Sequence, residues 1–476
     1  MSENTCPTDG ETPKAPGPTV HGPASTSSTE VGSVFVSNYP PFSVWKPETL
    51  ADYRALLERP PAAIGDTAGV ETLASADTET PLGLYMHIPF CRKRCKFCYF
   101  RVYVDKNAGE IQRYLDALAR EVELYAEKAA FAGRKLSFVY FGGGTPSYIA
   151  TKHLDVLIGR VKAVFPWDEV EEVAFECEPG TLTEPKVHYY REMGVTRLSL
   201  GVENWNEQIL RENGRAHEVK EIHRCLPWIR EAGFDQLNVD LIAGMVGETW
   251  DSWKDSIAKT IDISPDSVTI YQMELPFNTV YSKGILAGEH DSPVADWQLK
   301  RAWNDYAIDE LTSNGYEVSS AYTLVKSSTK NEGKGRFVYR DSLWHGADMM
   351  GTGIASFGHI GGIHAQNMSS WNHYLEAVES GELPLGRAFV TEKKQRLIRE
   401  MILQMKLGAL DFGYFREKFG VDPFSEWKPV WERLKEGEML DVLDKDRIEL
   451  TRRGLLQVDA LLPNFYESVH QGARYT

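Results

Sequence analysis

Three cysteines fall within eight residues in the run HIPFCRKRCKFCYF: Cys91, Cys95 and Cys98, spaced C-x3-C-x2-C. Thiolate is the metal-binding form of cysteine, and three thiolates on one short loop suit an iron-sulfur cube that keeps one iron open. Four would close a four-iron, four-sulfur cluster for plain electron transfer. Three leave an iron on which a ligand can bind and receive an electron. Zinc fits less well, because its structural sites favour C-x2-C pairs or mixed Cys and His at wider spacing, and no second pair exists here. His87, four residues upstream of Cys91, leaves a Cys3His site open. A disulfide framework fits least: Cys6, Cys177 and Cys225 are scattered, and MSENTCPTDGETPKAPGPTV lacks the basic and apolar stretches of a secretory signal.

A second feature is FGGGTPS, Phe141 to Ser147, placed directly after the apolar run LSFVYF. Glycines without side chains let backbone N–H groups approach a ligand, and Pro146 fixes the exit from the turn. By itself such a turn after a strand is often only a turn.

The motifs LYMHIPFC, FGGGTP, FECEPGTL, RLSLGVE, GRAH and NVDLIAGMVGET resemble, in order and spacing, the oxygen-independent coproporphyrinogen III oxidase-like family of the radical S-adenosylmethionine (SAM) superfamily. That family also contains the haem chaperone and class C radical SAM methyltransferases, and the resemblance runs from about residue 82 to 465. It implies a 4Fe-4S cluster on Cys91, Cys95 and Cys98. One or two SAM molecules are implied, the first chelated on the open iron and split to methionine and a 5′-deoxyadenosyl radical. Carried over by residue, Gly143, Gly144 and Thr145 receive the amino end of SAM, and Tyr85 sits against SAM beside the cluster. Glu176 binds a polar group of SAM, Arg215 grips its carboxylate through paired hydrogen bonds, and Asp240 accepts the ribose hydroxyls. Glu203 stands where relatives commonly carry Gln, a change that adds charge and removes two donors. Glu274, in MELPFNT, is a candidate proton handler on the substrate side, alongside Tyr85. Each residue also has a plainer reading: Tyr85 in the core, Glu176 or Glu178 capping a turn, Arg215 on a surface helix, Glu274 as a solvated strand end.

Two departures bear on the reaction. The oxidase commonly has a fourth cysteine two residues after the third, where this chain has Phe100, which weakens oxidative decarboxylation. The chaperone branch has H-N-x-x-Y-W for haem, where this chain reads YRDSLW, Tyr339 to Trp344, with His345 one residue beyond. A class C methyltransferase fits what remains. The resemblance implies a tetrapyrrole or another flat, unsaturated substrate. It also implies a flavodoxin- or ferredoxin-like electron donor. Arg92, Lys93, Arg94, Lys96 and Arg101 make the cluster loop basic, which reads equally as a solvated loop or as a surface for an acidic donor. GADMMGTGIASFGHIGG reads as a loop that closes over substrate or as a tight connecting turn, and His359 within it has no assigned role.

The elements that must position these groups are short apolar strands alternating with amphipathic helices, an α/β pattern with a parallel sheet. The resemblance adds closure into a partial (β/α)6 barrel, whose functional groups lie at the C-terminal strand ends. The expected organisation is a disordered tail over 1–32, a lead-in segment and linker over 33–81, the core over 82–310, post-barrel strands and a loop over 311–389, and a smaller helical, winged-helix-like domain over 390–476 that packs against the core. With 476 residues, of which 42% are hydrophobic, the chain can bury a large core. Its net charge of −16 argues against a nucleic-acid partner, no apolar run is long enough to span a membrane, and the chain reads as cytoplasmic.

Overall fold

The computed structural model describes residues 29–33, 35–61, 79–289 and 294–473, so the expected tail up to residue 28 and most of the linker lie outside the described residues. Six parallel strands form the centre: β1 (Leu82–Ile88), β2 (Leu136–Gly143), β3 (Glu172–Cys177), β4 (Arg197–Glu203), β5 (Gln236–Ala243) and β6 (Ser267–Gln272). Before them stands α1 (Leu50–Leu57), and between them run α2 (Ala108–Ala126), α3 (Thr151–Val164), α4 (Glu184–Glu192), α5 (Glu207–Glu212), α6 (Val219–Ala232) and α7 (Trp250–Ile263). The strands are apolar toward the helices, as expected of a sheet covered on that face. A capping box of Asn107 and Glu110 fixes the start of α2.

The inward face is polar. Arg197 pairs with Glu172, both nearly inaccessible, at 2.7 Å, and Asn238 links Ser199, Asp240, Ser267 and Thr269 by hydrogen bonds of 2.7 to 3.0 Å. Such a network holds its strands in register only if each member is satisfied. The cylinder stays open. After α8 (Val280–Leu286) and α9 (Trp297–Ser313), β7 (Tyr316–Val318) and β8 (Thr323–Lys326) extend the sheet antiparallel beyond β6. On the other edge, β9 (Asp348–Thr352) lies parallel to β1, followed outward by β10 (Phe357–Ile360), β11 (Ile363–Asn367) and β12 (Leu385–Val390). The fold is a partial (β/α)6 barrel within a twelve-stranded sheet.

The Gly-rich stretch read as a loop or tight turn is instead β9, a short turn and β10. Its glycines serve close approach: a Cβ on Gly351 would lie 2.0 Å from the Phe357 carbonyl oxygen. Asp348 in β9 is paired with Arg134 at 2.8 Å inside the protein. His359 and His364 face one another, Nδ1 to Nδ1 at 2.9 Å, and Trp45 stacks on His364 at 4.9 Å. His359 thus belongs to the core beneath the lead-in segment. Residues 29–32, expected in the tail, are also packed. Thr29 is buried and donates to the Ala295 carbonyl at 2.8 Å, and Gly32 N–H donates to Leu275 at 2.8 Å.

Beyond β12 come a helix (Lys393–Met405), β13 (Ala409–Asp411), helices Phe412–Phe419 and Lys428–Glu436, and the hairpin β14 (Leu440–Leu443) and β15 (Arg447–Leu450), with sheet order β13-β15-β14. This is a winged-helix-like arrangement with its own core around Trp431, Phe415 and Leu462. Asp459 ties it to the rest of the chain: it accepts from Val36 N–H at 3.0 Å and from the Tyr322 hydroxyl, and it pairs with Lys406 at 2.9 Å. Among the described residues no helix is long and apolar enough to cross a membrane.

Candidate functional site

β1 ends at Ile88 and the chain turns outward through Pro89 into the cysteine loop. Cys91 N–H donates to Tyr103 at 3.0 Å and Tyr103 N–H returns to Pro89 at 2.7 Å, closing the loop at its base. Lys96 N–H donates to Asn213 at 3.0 Å and anchors the middle. All three thiols are half-buried. Thr145 Oγ1 donates to Cys91 Sγ at 3.4 Å, and Arg215 Nη1 donates to Cys95 Sγ at 3.6 Å. Burial pushes the Cys91 thiol up to about 11 and the Cys98 thiol up to about 12.

A single zinc ion would draw its sulfurs to within about 3.8 Å of one another. Among the described residues, the one set of three His, Cys, Asp or Glu ligand atoms within 4.8 Å of each other is Glu184, His188 and Glu231, on α4 and α6. The three thiols do not form such a set. His87 is also unavailable as a fourth zinc ligand. Its ring is buried, with Nε2 on the Arg101 carbonyl and Nδ1 on the Tyr85 hydroxyl, each at 3.2 Å, and burial lowers its pKa to about 4.

The glycine turn closes against the base of this loop. Gly144 N–H donates to Ile88 at 2.8 Å, Thr145 N–H to Phe90 at 2.9 Å and Gly143 N–H to Glu176 at 3.2 Å. The expectation that these N–H groups face a ligand is therefore corrected: all three are spent within the protein. An ammonium group, which needs acceptors, is the ligand end compatible with such a turn. Gly143 has φ +104°, and a Cβ there would meet the His87 ring at 2.3 Å. Gly143→Ala is expected to destabilise the protein by about 2 kcal/mol or more and to lower cluster content, read by thermal melting and iron analysis of the reconstituted variant.

Beyond the turn β3, β4 and β5 carry acids, Glu176 and Glu203 at or next to the strand ends and Asp240 within β5, which runs on to Ala243. Glu176 accepts from the Tyr140 hydroxyl at 2.8 Å and burial raises its carboxyl to about 7. Asp240 accepts from Ser199 and Asn238, each at 2.9 Å, and burial likewise raises it to about 7, assisted by the Glu203 charge. Glu203, at φ +62° beside an irregularity in the β4–β5 ladder, lies 3.5 Å from Arg215 Nη2. Arg215 donates from Nη2 to the Gly201 carbonyl at 2.8 Å, and its buried Nε has no partner. One guanidinium therefore joins the cysteine loop to the acids and keeps an N–H in reserve. Tyr85 stacks on Tyr140 at 5.9 Å, and Tyr140 lies against Tyr339 at 4.3 Å, making an aromatic wall beside Glu176.

Tyr85, Gly143, Gly144, Thr145, Glu176, Glu203, Arg215 and Asp240 thus meet around the cysteine loop. Glu274 does not join them. It follows β6 near Ser33, Lys300 and Arg301, its Oε2 lacks a partner, and burial raises it to about 7. Tyr99 stands between, sensing both Glu274 and Glu176.

Glu178 is a residue whose importance the sequence left open. Arg92 holds it with two hydrogen bonds, 2.9 and 3.1 Å, and His217 lies 3.4 Å away. Burial works against its charge, yet His217, Arg92 and Arg215 bring it down to about 2. Arg92 is accordingly a strut of the cysteine loop and not a solvated charge. The signal available was the His in GRAH, two residues after Arg215. His345 lies away from the site, its Nδ1 on the Asp341 carbonyl at 2.7 Å.

Residues 85–259 match the radical SAM superfamily. The chain is 27% identical over 409 residues to the oxygen-independent coproporphyrinogen III oxidase of Escherichia coli K12, covering 83% of this chain and 88% of that one. It is 27% identical over 390 residues to the heme chaperone HemW of Lactococcus lactis, covering 79% and 95%. The solved structure of the Escherichia coli coproporphyrinogen III oxidase, titled a radical SAM enzyme, superposes with a TM-score of 0.74 at 24% identity, covering 90% and 96%. At that identity the likeness is one of fold.

Proposed function

From a chain that carries a radical SAM domain, with the 4Fe-4S cluster and SAM that such a domain implies, we propose an enzyme that cleaves SAM and directs the resulting radical at a tetrapyrrole or another flat, unsaturated substrate. The observation that carries this reading is Arg215, which touches Cys95 Sγ and sits beside Glu203 while its Nε remains unpartnered. A 4Fe-4S cluster held by Cys91, Cys95 and Cys98 would supply the one-electron reduction that SAM cleavage requires.

Cys91, Cys95 and Cys98 hold the cluster. Arg215 takes the SAM carboxylate, the turn Gly143–Gly144–Thr145 meets its amino end, Glu176 and Glu203 offset its positive charge, and Asp240 holds the ribose hydroxyls. The wall of Tyr85, Tyr140 and Tyr339 orders flat ligands and excludes water, while Glu274 handles a proton at the substrate side. The exposed pair Tyr99 and Phe100, stacked at 4.5 Å in the basic cysteine loop, faces an acidic flavodoxin- or ferredoxin-like donor.

Phe100 in place of a fourth cysteine favours class C methyl transfer over oxidative decarboxylation. A non-catalytic haem chaperone is the second reading, supported by the likeness to HemW. The cluster is reconstituted anaerobically, SAM and dithionite are added, and products are followed by mass spectrometry with and without tetrapyrroles. 5′-Deoxyadenosine with S-adenosylhomocysteine supports methyl transfer, and 5′-deoxyadenosine alone supports oxidation. Neither product, with stoichiometric haem bound to a sample of intact cluster, would overturn the enzyme in favour of the chaperone.

The acids give a further expectation. Glu176 and Asp240, both raised to about 7, hold protons below that pH, and a cationic ligand must expel them. SAM affinity should therefore rise with pH between about 6 and 8, by up to about tenfold per unit for each proton released. Titration calorimetry in buffers of different ionisation enthalpy checks this; a flat profile would place both carboxylates away from the ligand.

A further inference from the structure

Three parts of the candidate site meet at Glu178, which follows β3 and is buried. From the glycine turn, Ser147 Oγ accepts from the Glu178 N–H at 3.0 Å. From the cysteine loop, Arg92 donates to both carboxylate oxygens, a fork that fixes direction as well as distance. Gly180 N–H adds a third donor to the carboxylate at 3.1 Å. From the GRAH segment, His217 Nδ1 lies 3.4 Å from Glu178 Oε1 and also 3.4 Å from Arg215 Nη2.

The two contacts of that one ring nitrogen are not equivalent. Glu178 only accepts and Arg215 only donates, so Nδ1 with a proton is held by Glu178 and without one by Arg215. A carboxylate at 3.4 Å favours the proton on Nδ1, and Arg215 Nη2 is already satisfied by the Gly201 carbonyl at 2.8 Å. The His217 side chain has no exposed surface, so it is a fixed spacer between the carboxylate and the guanidinium. Arg92 is the chain neighbour of Cys91, and Arg215 reaches Cys95 Sγ at 3.6 Å. One anion is therefore tied to the cysteine loop on one arm and to the guanidinium on the other. A ligand that must bind an iron and meet Arg215 at the same time depends on that separation, and small misplacements of such pairs are costly.

We propose that Glu178 is a positioning residue: its carboxylate braces the cysteine loop through Arg92 and the Arg215 guanidinium through His217, and so sets the distance between the cluster and the group that takes the SAM carboxylate. This rests on the reading of Arg215 as the SAM clamp.

The test uses the full chain with its cluster reconstituted anaerobically, titrated with SAM by calorimetry, with the cluster potential followed by electron paramagnetic resonance. Glu178→Gln keeps the size of the side chain and removes its charge. It should keep the iron content of the parent, weaken SAM by about tenfold and move the potential to a more positive value, because an anion felt at Cys91 is gone. In the Arg215→Lys background the same change should cost less than about twofold, because the guanidinium it positions is absent. Iron lost from Glu178→Gln, an unchanged affinity or potential, or the tenfold loss recurring in the double variant would each overturn the proposal. Should Glu178→Gln fail to fold by circular dichroism, Gly180→Ala decides. A Cβ there would meet Arg92 Nη2 at 1.9 Å, the far end of a flexible side chain, so it displaces the fork and leaves the carboxylate in place. SAM should then bind about threefold more weakly or worse, and unchanged affinity would overturn the proposal. A parent that binds no SAM would remove the clamp reading of Arg215 itself, and this proposal with it.

Discussion

Replacing Cys95 by Ala should leave a protein that folds, takes up no stable cluster and forms 5′-deoxyadenosine only at background. Two thiolates cannot hold three irons of a cube, and Cys95 is also the sulfur that Arg215 contacts, so one substitution removes a cluster ligand and frees the proposed SAM clamp. Cys225→Ala is the control. That thiol is buried and donates to the Ile222 carbonyl at 3.3 Å, so its loss should leave the visible cluster absorbance and SAM cleavage unchanged. SAM cleavage retained in Cys95→Ala would sink the assignment of the loop.

The second large effect is expected at Arg215. Lys at this position keeps the charge but cannot at once reach Cys95 Sγ, the Gly201 carbonyl and Glu203 while offering a further N–H. SAM affinity in Arg215→Lys should fall by about tenfold to a hundredfold, the size of a lost paired hydrogen bond to carboxylate. Glu203, raised by burial and held down by Arg215, should then take up a proton. Adding Glu203→Gln to Arg215→Lys separates the two consequences: thermal stability should recover while affinity stays low. Recovery of affinity in the double variant would mean that Arg215 only neutralises Glu203 and does not meet the ligand.

The sequence made the strands and helices of the barrel readable because each is set locally, by apolar runs, capping residues and glycines at turns. Cys91, Cys95 and Cys98 were visible for the same reason, since their spacing lies within one loop. What escaped depends on partners far along the chain. Glu178 is explained by Arg92, 86 residues earlier. The N–H groups of the glycine turn, which a local reading points at a ligand, rest on Ile88, Phe90 and Glu176. The glycines of GADMMGTGIASFGHIGG read as loop or turn, whereas Gly351 is small so that β10 can lie against β9. Tyr339 and Arg340, adjacent in sequence, point about 100° apart around one short helix, Tyr339 onto Phe138 and Tyr140 and Arg340 onto Ser319 and Asp341, a division set by partners outside the hexapeptide.

Asp459 has a consequence for the order of assembly. The lead-in segment is among the first parts of the chain to be made, yet Val36 waits for Asp459, 423 residues later, and the Tyr39 hydroxyl waits for His470, 431 residues later. At translation rates of about 5–20 residues per second, roughly 20 to 85 s separate Val36 from its partner, and roughly 9 to 37 s of that follow the completion of β6 at Gln272. Phe35, which ends 6.2 Å from Tyr271 at the C-terminal strand ends, is then still absent from its place. Until the C-terminal segment is made, the lead-in contacts beside the end of β6 are incomplete, and the barrel strands are held through that interval by their own packing and buried polar network.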